Sequence, residues 1–254
     1  MKTAFRRIAW PTTHGWAILG LGAGLLATFI VLAEDVWHRE GFRWDAPIMW
    51  ALHGWSRPAL DGLMWALTQT GAAGATLLAV GLTAWFARRR QWPDAIAVAA
   101  AFSGAVILNG LLKGLFVRPR PTLFQPGALA SGYSFPSGHV AASTATYGVL
   151  AVYLWRAGQR WAALLVGAWV GVVALTRVYL GVHFPSDTVA ALASSGLWVL
   201  LVFTARDLWV APRIRRSHPS ATTLRRFTPT SCASCTLMAG DPTTPQIPSA
   251  LQEF

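Results

Sequence analysis

Six stretches of 15 to 18 mostly apolar residues, joined by short polar segments, leave this chain few ways to fold: Trp16–Ala33, Gly71–Phe86, Ala95–Leu112, Val140–Leu154, Trp161–Leu175 and Asp187–Thr204. A helix needs about 20 apolar residues to cross a bilayer, and a backbone in lipid must satisfy its own hydrogen bonds. Each stretch therefore predicts a membrane helix, and the chain reads as an all-α, six-span bundle over residues 1–210. Hydrophobic residues make up 54% of the sequence and charged residues only 12%, roughly half the charge of an ordinary soluble domain. The spans are rich in Gly and Ala, which predicts close helix packing.

The formal net charge of +11 raises the question of nucleic acid, but no basic patch interleaved with aromatics and no DNA or RNA motif accompanies it. The cations read instead as topology signals. Lys2, Arg6 and Arg7, then Arg88–Arg90, then Arg156 and Arg160, then Arg206, Arg213, Arg215 and Arg216 alternate onto one side of a six-span chain. The positive-inside rule makes that side cytoplasmic. Both termini are then cytoplasmic, with the protein in the inner membrane of a bacterium. Glu34, Asp35, Glu40 and Asp45 fall on the other side. Residues 47–67 carry apolar side chains at helical spacing, broken by Pro58, and predict two short amphipathic helices along the outer interface. From residue 211 onward, Pro, Ser, Thr and Arg dominate and predict a disordered cytoplasmic tail. Its Cys232 and Cys235 form a lone CxxC, a weak signal for metal or redox chemistry.

Lys113, Arg118, Arg120 and Arg177 sit on the outer side, where topology does not favour cations. An anionic ligand accounts for them, and anchoring to lipid headgroups is the alternative. Lys offers a mobile point charge and Arg a planar fork, which together suit the oxygens of one phosphoryl group. Ser134-Phe-Pro-Ser-Gly-His139 runs into the fourth span, with Pro136 suited to the first helical position and His139 one turn inside. A helix start carrying Ser137 and Gly138 suits an anion, although an ordinary capped helix start would look the same. His183 and Asp187 lie four residues apart, and Asp187 is the only acidic residue between Ala95 and Ala205. A carboxylate there orients an imidazole and raises the nucleophilicity of its far nitrogen; a structural His–Asp pair capping the sixth helix is the bland alternative.

Together these segments read KxxxxxxRP from Lys113 to Pro121, PSGH from Pro136 to His139, and RxxxxxHxxxD from Arg177 to Asp187. This spaced signature resembles the type 2 phosphatidic acid phosphatase superfamily, which includes bacterial lipid phosphatases, undecaprenyl-diphosphate phosphatases and the soluble vanadium haloperoxidases. Thr176 stands where that pattern usually has Ser, and keeps the hydroxyl. The resemblance implies that Lys113, Arg120 and Arg177 bind the phosphoryl oxygens with Ser137 and the Gly138 backbone. It implies that His183 attacks phosphorus, Asp187 orients it, and His139 protonates the leaving group and then activates water. No cofactor is implied, and a two-metal site would need more carboxylates or imidazoles than this stretch offers. The expected substrate is a lipid phosphate in the bilayer: undecaprenyl diphosphate, phosphatidic acid or phosphatidylglycerol phosphate. Transfer of phosphate to a second lipid is the alternative reaction. An anion transporter is disfavoured by the lack of an internal repeat.

Overall fold

The computed structural model describes residues 15–128 and 130–217, and among these residues every regular element is helical. Helix α1 covers Gly15–Trp37, α2 Asp45–His53, α3 Pro58–Gln69, α4 Ala75–Arg88 and α5 Trp92–Phe116. After a long loop come α6 (Gly138–Ser143), α7 (Val149–Arg156), α8 (Arg160–Tyr179) and α9 (Pro185–Ser217). One compact unit runs through Ile214; a second begins at Arg215, and its described part is the end of α9. The tail expected from residue 211, with its CxxC, otherwise lies outside the described residues, as do residues 1–14.

Among the described residues five helices are long and apolar enough to cross a membrane: Gly15–Trp37, Pro58–Arg88, Trp92–Phe116, Arg160–Tyr179 and Pro185–Val210. Their outward faces carry Leu19, Leu77, Ile107, Leu111, Leu165 and Leu201, all exposed, as a lipid-facing surface requires. The expected fourth span is helical from Gly138 to Arg156, but a π-helical turn at Thr144–Gly148 divides it.

One expectation is corrected. The interfacial pair expected at residues 47–67 does break before Pro58, which occupies the first turn of α3. The second member is not a separate segment, however. A π-helical turn at Thr70–Gly74 joins α3 to α4, giving a continuous helix of 31 residues. At 1.5 Å per residue this is about 46 Å, longer than the roughly 30 Å hydrocarbon core. The Gly-rich run that looked like a span boundary is a close-packing surface. A Cβ on Gly71 would lie 2.5 Å from Val173 Cγ1, so the second span packs this closely on α8 only because this residue has no side chain.

The two ends of the bundle differ. At one end Arg206 pairs with Asp94 at 2.6 Å and with Asp207 at 2.6 Å, and Arg156 pairs with Asp207 at 2.7 Å. The Tyr153 hydroxyl donates to Asp94, so these side chains tie α5, α7 and α9 together. The opposite end gathers the C-termini of α5 and α8 and the N-termini of α2, α6 and α9. Helix α5 stops there because Val117 is left-handed, with φ of 48°. That conformation is unfavourable for a β-branched residue, and it turns Arg118 back toward the bundle.

Candidate active site

His183 lies in the short loop between α8 and α9 and is 2% exposed. Gly181, with φ of 72°, makes the turn, and a Cβ there would strike the Phe124 ring at 2.6 Å. Proline opens α9 at Pro185, so the chain re-enters a helix two residues after His183 and brings Asp187 beneath the imidazole. His183 Nδ1 lies 3.4 Å from Asp187 Oδ2, a polar contact longer than an ordinary hydrogen bond. On the ring's other side, Nε2 lies 3.3 Å from Arg120 Nη1. One imidazole is thus held between a carboxylate and a guanidinium.

Burial lowers the His183 pKa to about 4, the charges of Arg177 and Arg120 act in the same direction, and Asp187 opposes them. The sign follows from the desolvation of the imidazolium: His183 stays neutral as pH falls through 6.5 and takes up a proton only near 4. An NMR titration of histidine-labelled protein in detergent, with the His183 signal assigned by its loss in His183→Gln, should show that midpoint. A midpoint at or above 6.5 would contradict the burial of this ring.

The loop from Val117 to Ser137 delivers Arg118 and Arg120, and the last turns of α5 and α8 deliver Lys113 and Arg177. Arg120 donates to the carbonyls of Gly132 (3.0 Å), Ser131 (2.8 Å) and Val182 (2.7 Å). Partial burial pulls its guanidinium below the usual arginine range, with Asp187 opposing; it nevertheless stays charged. Lys113, on the last turn of α5, donates to the carbonyl of Tyr133 at 2.5 Å. Arg177, 4% exposed, donates to the Thr68 hydroxyl at 2.9 Å, and its Nε has no partner.

The segment before α6 is anchored by Phe135, fully buried and packed against Phe29 and Phe116. Asn109 donates to the Pro136 carbonyl, and the Ser137 N–H donates to the carbonyl of Asp187 at 3.1 Å. These bonds set the start of α6 beside the His183 loop. Ser137 is the N-cap residue, so Pro136 precedes the helix rather than opening it, and His139 is its second residue rather than one turn inside. The Ser137 hydroxyl is buried without a partner. Gly138 passes Asn109 Oδ1 so closely that a Cβ would sit 3.3 Å from it. His139 lies within electrostatic reach of Arg177, His183, Arg120 and Lys113.

All eight residues expected from the sequence therefore belong to one end of the bundle: Lys113, Arg120, Ser137, Gly138, His139, Arg177, His183 and Asp187. Arg118 behaves differently from the cations beside it. It pairs with Asp187 at 2.6 Å and with Asp45 at 3.1 Å, and packs over the Phe184 ring. Asp45 and Thr68 are not marked by the sequence as members of the site. Each acts on a partner more than 70 residues away, and no local pattern marks such a pair. Among the described residues no three His, Cys, Asp or Glu side chains cluster to hold a metal ion; the positive charge the chain brings here is that of Lys and Arg.

A buried imidazole backed by an acid and facing fixed cations, at one end of an apolar helical bundle, is the arrangement that a membrane-embedded phosphatase needs. The model of the PAP2 superfamily matches residues 94–210. A phosphatidylglycerophosphatase B of Bacillus subtilis (strain 168) is 29% identical over 190 residues, covering 72% of this chain and 91% of its own. A lipid A 1-phosphatase of Rhizobium etli is 33% identical over 52% of this chain, which spans only 58% of that relative. The crystal structure of a transmembrane PAP2-type phosphatidylglycerolphosphate phosphatase from Bacillus subtilis matches with a TM-score of 0.64 at 28% identity, covering 72% of this chain and 94% of that one. Over residues 94–210 the chain matches the PAP2 superfamily, and with these homologues it is an integral membrane phosphatase.

Proposed function

We propose that the protein hydrolyses a phosphate monoester or diphosphate of a membrane lipid through a phosphohistidine on His183. The observation that carries this reading is the placement of that ring, with Nδ1 toward Asp187 and Nε2 toward Arg120. Nε2 attacks phosphorus in line, the N–P bond forms, and the bond to the leaving oxygen breaks. His139 gives its proton to that oxygen. Arrival of the anionic phosphoryl group between the cations favours the protonated form of His139 that can do so. A water molecule then attacks phosphorus, His139 takes its proton, and the N–P bond breaks to release phosphate. Lys113, Arg120 and Arg177, with the Ser137 hydroxyl and the Gly138 N–H, hold the non-bridging oxygens and stabilise the charge that develops on them.

The arrangement of cations supports a site facing the exterior. Arg88–Arg90, Arg160 and Arg206 occur at the end of the bundle opposite His183, the end that the positive-inside rule places in the cytoplasm. With both termini on that side, the lipid phosphate reaches the site from the outer leaflet while its tail stays in the bilayer.

Purified protein in detergent should release inorganic phosphate from at least one of undecaprenyl diphosphate, phosphatidic acid and phosphatidylglycerol phosphate, with EDTA leaving the rate unchanged. The Bacillus subtilis relative favours phosphatidylglycerol phosphate as the first to try, and the family resemblance favours undecaprenyl diphosphate. Release from none of the three, or loss of activity in EDTA, would remove the reading. Adding an unphosphorylated acceptor lipid separates hydrolysis from transfer: phosphate appearing on the acceptor rather than in solution would mark a phosphotransferase.

A further inference from the structure

Asp45 opens α2, outside the residues matched by the family model, and is 3% exposed. It does not cap its own helix, whose N-cap is Trp44. Its carboxylate is instead spent on the catalytic end of the bundle. Oδ1 accepts the Ser186 N–H at 2.9 Å, and Oδ2 accepts the Ser186 hydroxyl at 2.6 Å and Arg118 Nη2 at 3.1 Å. Arg118 in turn donates through Nη1 to Ser186 Oγ at 2.8 Å and to Asp187 Oδ1 at 2.6 Å. The other oxygen of Asp187 accepts the Phe184 N–H at 2.9 Å and faces His183 Nδ1.

We infer that Asp45 is a positioning residue of the phosphatase site, acting through Arg118 to hold the Asp187 carboxylate against His183. The inference rests on the reading of His183 as the nucleophile. Two physical effects support it. Arg118, fixed at both ends by carboxylates, cannot swing, so the Asp187 carboxylate has one orientation and its Oδ2 stays on the imidazole. Charge balance is the second. Arg118 alone would cancel the charge of Asp187, and the ring would develop positive charge on attack beside a neutral pair. With Asp45 the three groups carry one net negative charge, which favours that step. Both effects act on the bond-making step and leave the phosphate-binding cations untouched.

The test is a double-mutant cycle of Asp45→Asn and Arg118→Gln, with kcat and KM measured on purified protein and folding checked by thermal unfolding in detergent. Asp45→Asn is expected to lower kcat by about 10- to 100-fold, the scale of loss from a displaced catalytic group, with KM within about twofold. The double variant should be no slower than Arg118→Gln alone, because the two act on one path. Losses that multiply in the double variant, or Asp45→Asn with full kcat, would overturn the proposal. Should Asp45→Asn fail to fold, Asp45→Glu carries the test; it keeps the charge but moves it by one methylene. Reduced kcat at constant KM supports the role, and wild-type kcat overturns it. His183→Gln is measured alongside: turnover in that variant removes the nucleophile reading, whereas an inactive His183→Gln beside an unaffected Asp45 variant removes only the role of Asp45.

Discussion

His183→Ala is expected to abolish phosphate release, lowering kcat by about 10⁴-fold or more, the scale seen when a nucleophile acting in a concerted set is removed. The structure gives that residue no substitute. His139, the other imidazole of the site, is the second residue of α6 and has no carboxylate behind it comparable to Asp187. Lys113 and Arg120 are committed to backbone carbonyls. His183 is almost fully buried, so alanine also leaves a cavity, and His183→Gln serves as the better-filled companion. Both variants should remain folded and fail to form the acid-labile, base-stable phosphoenzyme that rapid quenching with radiolabelled substrate traps in the parent. A variant without this imidazole that still turns over lipid at the parent rate would end the assignment.

Arg120→Lys is expected to cost about 100- to 1000-fold in kcat/KM, the range for removing one donor to a developing oxyanion. Charge is retained in this variant, so the loss measures geometry. One guanidinium fork reaches three carbonyls, of Ser131, Gly132 and Val182, and still places Nη1 3.3 Å from His183 Nε2. A single ammonium cannot span those directions. The loop from Val117 to Ser137 would also lose the donor that ties its Ser131–Gly132 turn to the His183 loop. Steady-state kinetics on the lipid substrate read the effect, and a loss under threefold would mean that Arg120 contributes only its charge.

Much of this was legible in the sequence, because the bilayer enforces simple rules. Long apolar runs had to be helices, and the three motif segments had to meet once those helices were packed. The second span reads too short in the sequence at its N-terminal half. The 58–69 segment is amphipathic and Thr70–Gly74 is rich in Gly and Ala, a combination that looks like a junction until the packing against His139 and Val173 is visible. Asp45 was legible only as an outer-side acid, since its partners Arg118 and Ser186 are 73 and 141 residues away. Arg118 and Arg120, two residues apart and alike in type, differ only in what three-dimensional packing sets before them: two carboxylates for the first, carbonyls and an imidazole for the second. His139 lies two residues nearer the helix start than the sequence suggests, because Gly138, with Ser137 as its N-cap, and not Pro136, begins α6.

The carbonyls that hold Arg120 and Lys113 bear on how the enzyme finishes a cycle. A cation paired with a carboxylate has its charge cancelled, whereas one bonded to peptide oxygens keeps it while its N–H groups are satisfied. Under the proposed phosphate-binding role of these cations, the site attracts a dianion strongly and still lets inorganic phosphate go, since departure strands few of their donors. Turnover depends on that second property as much as on the first: a receptor built from bare cations would bind its product and stop.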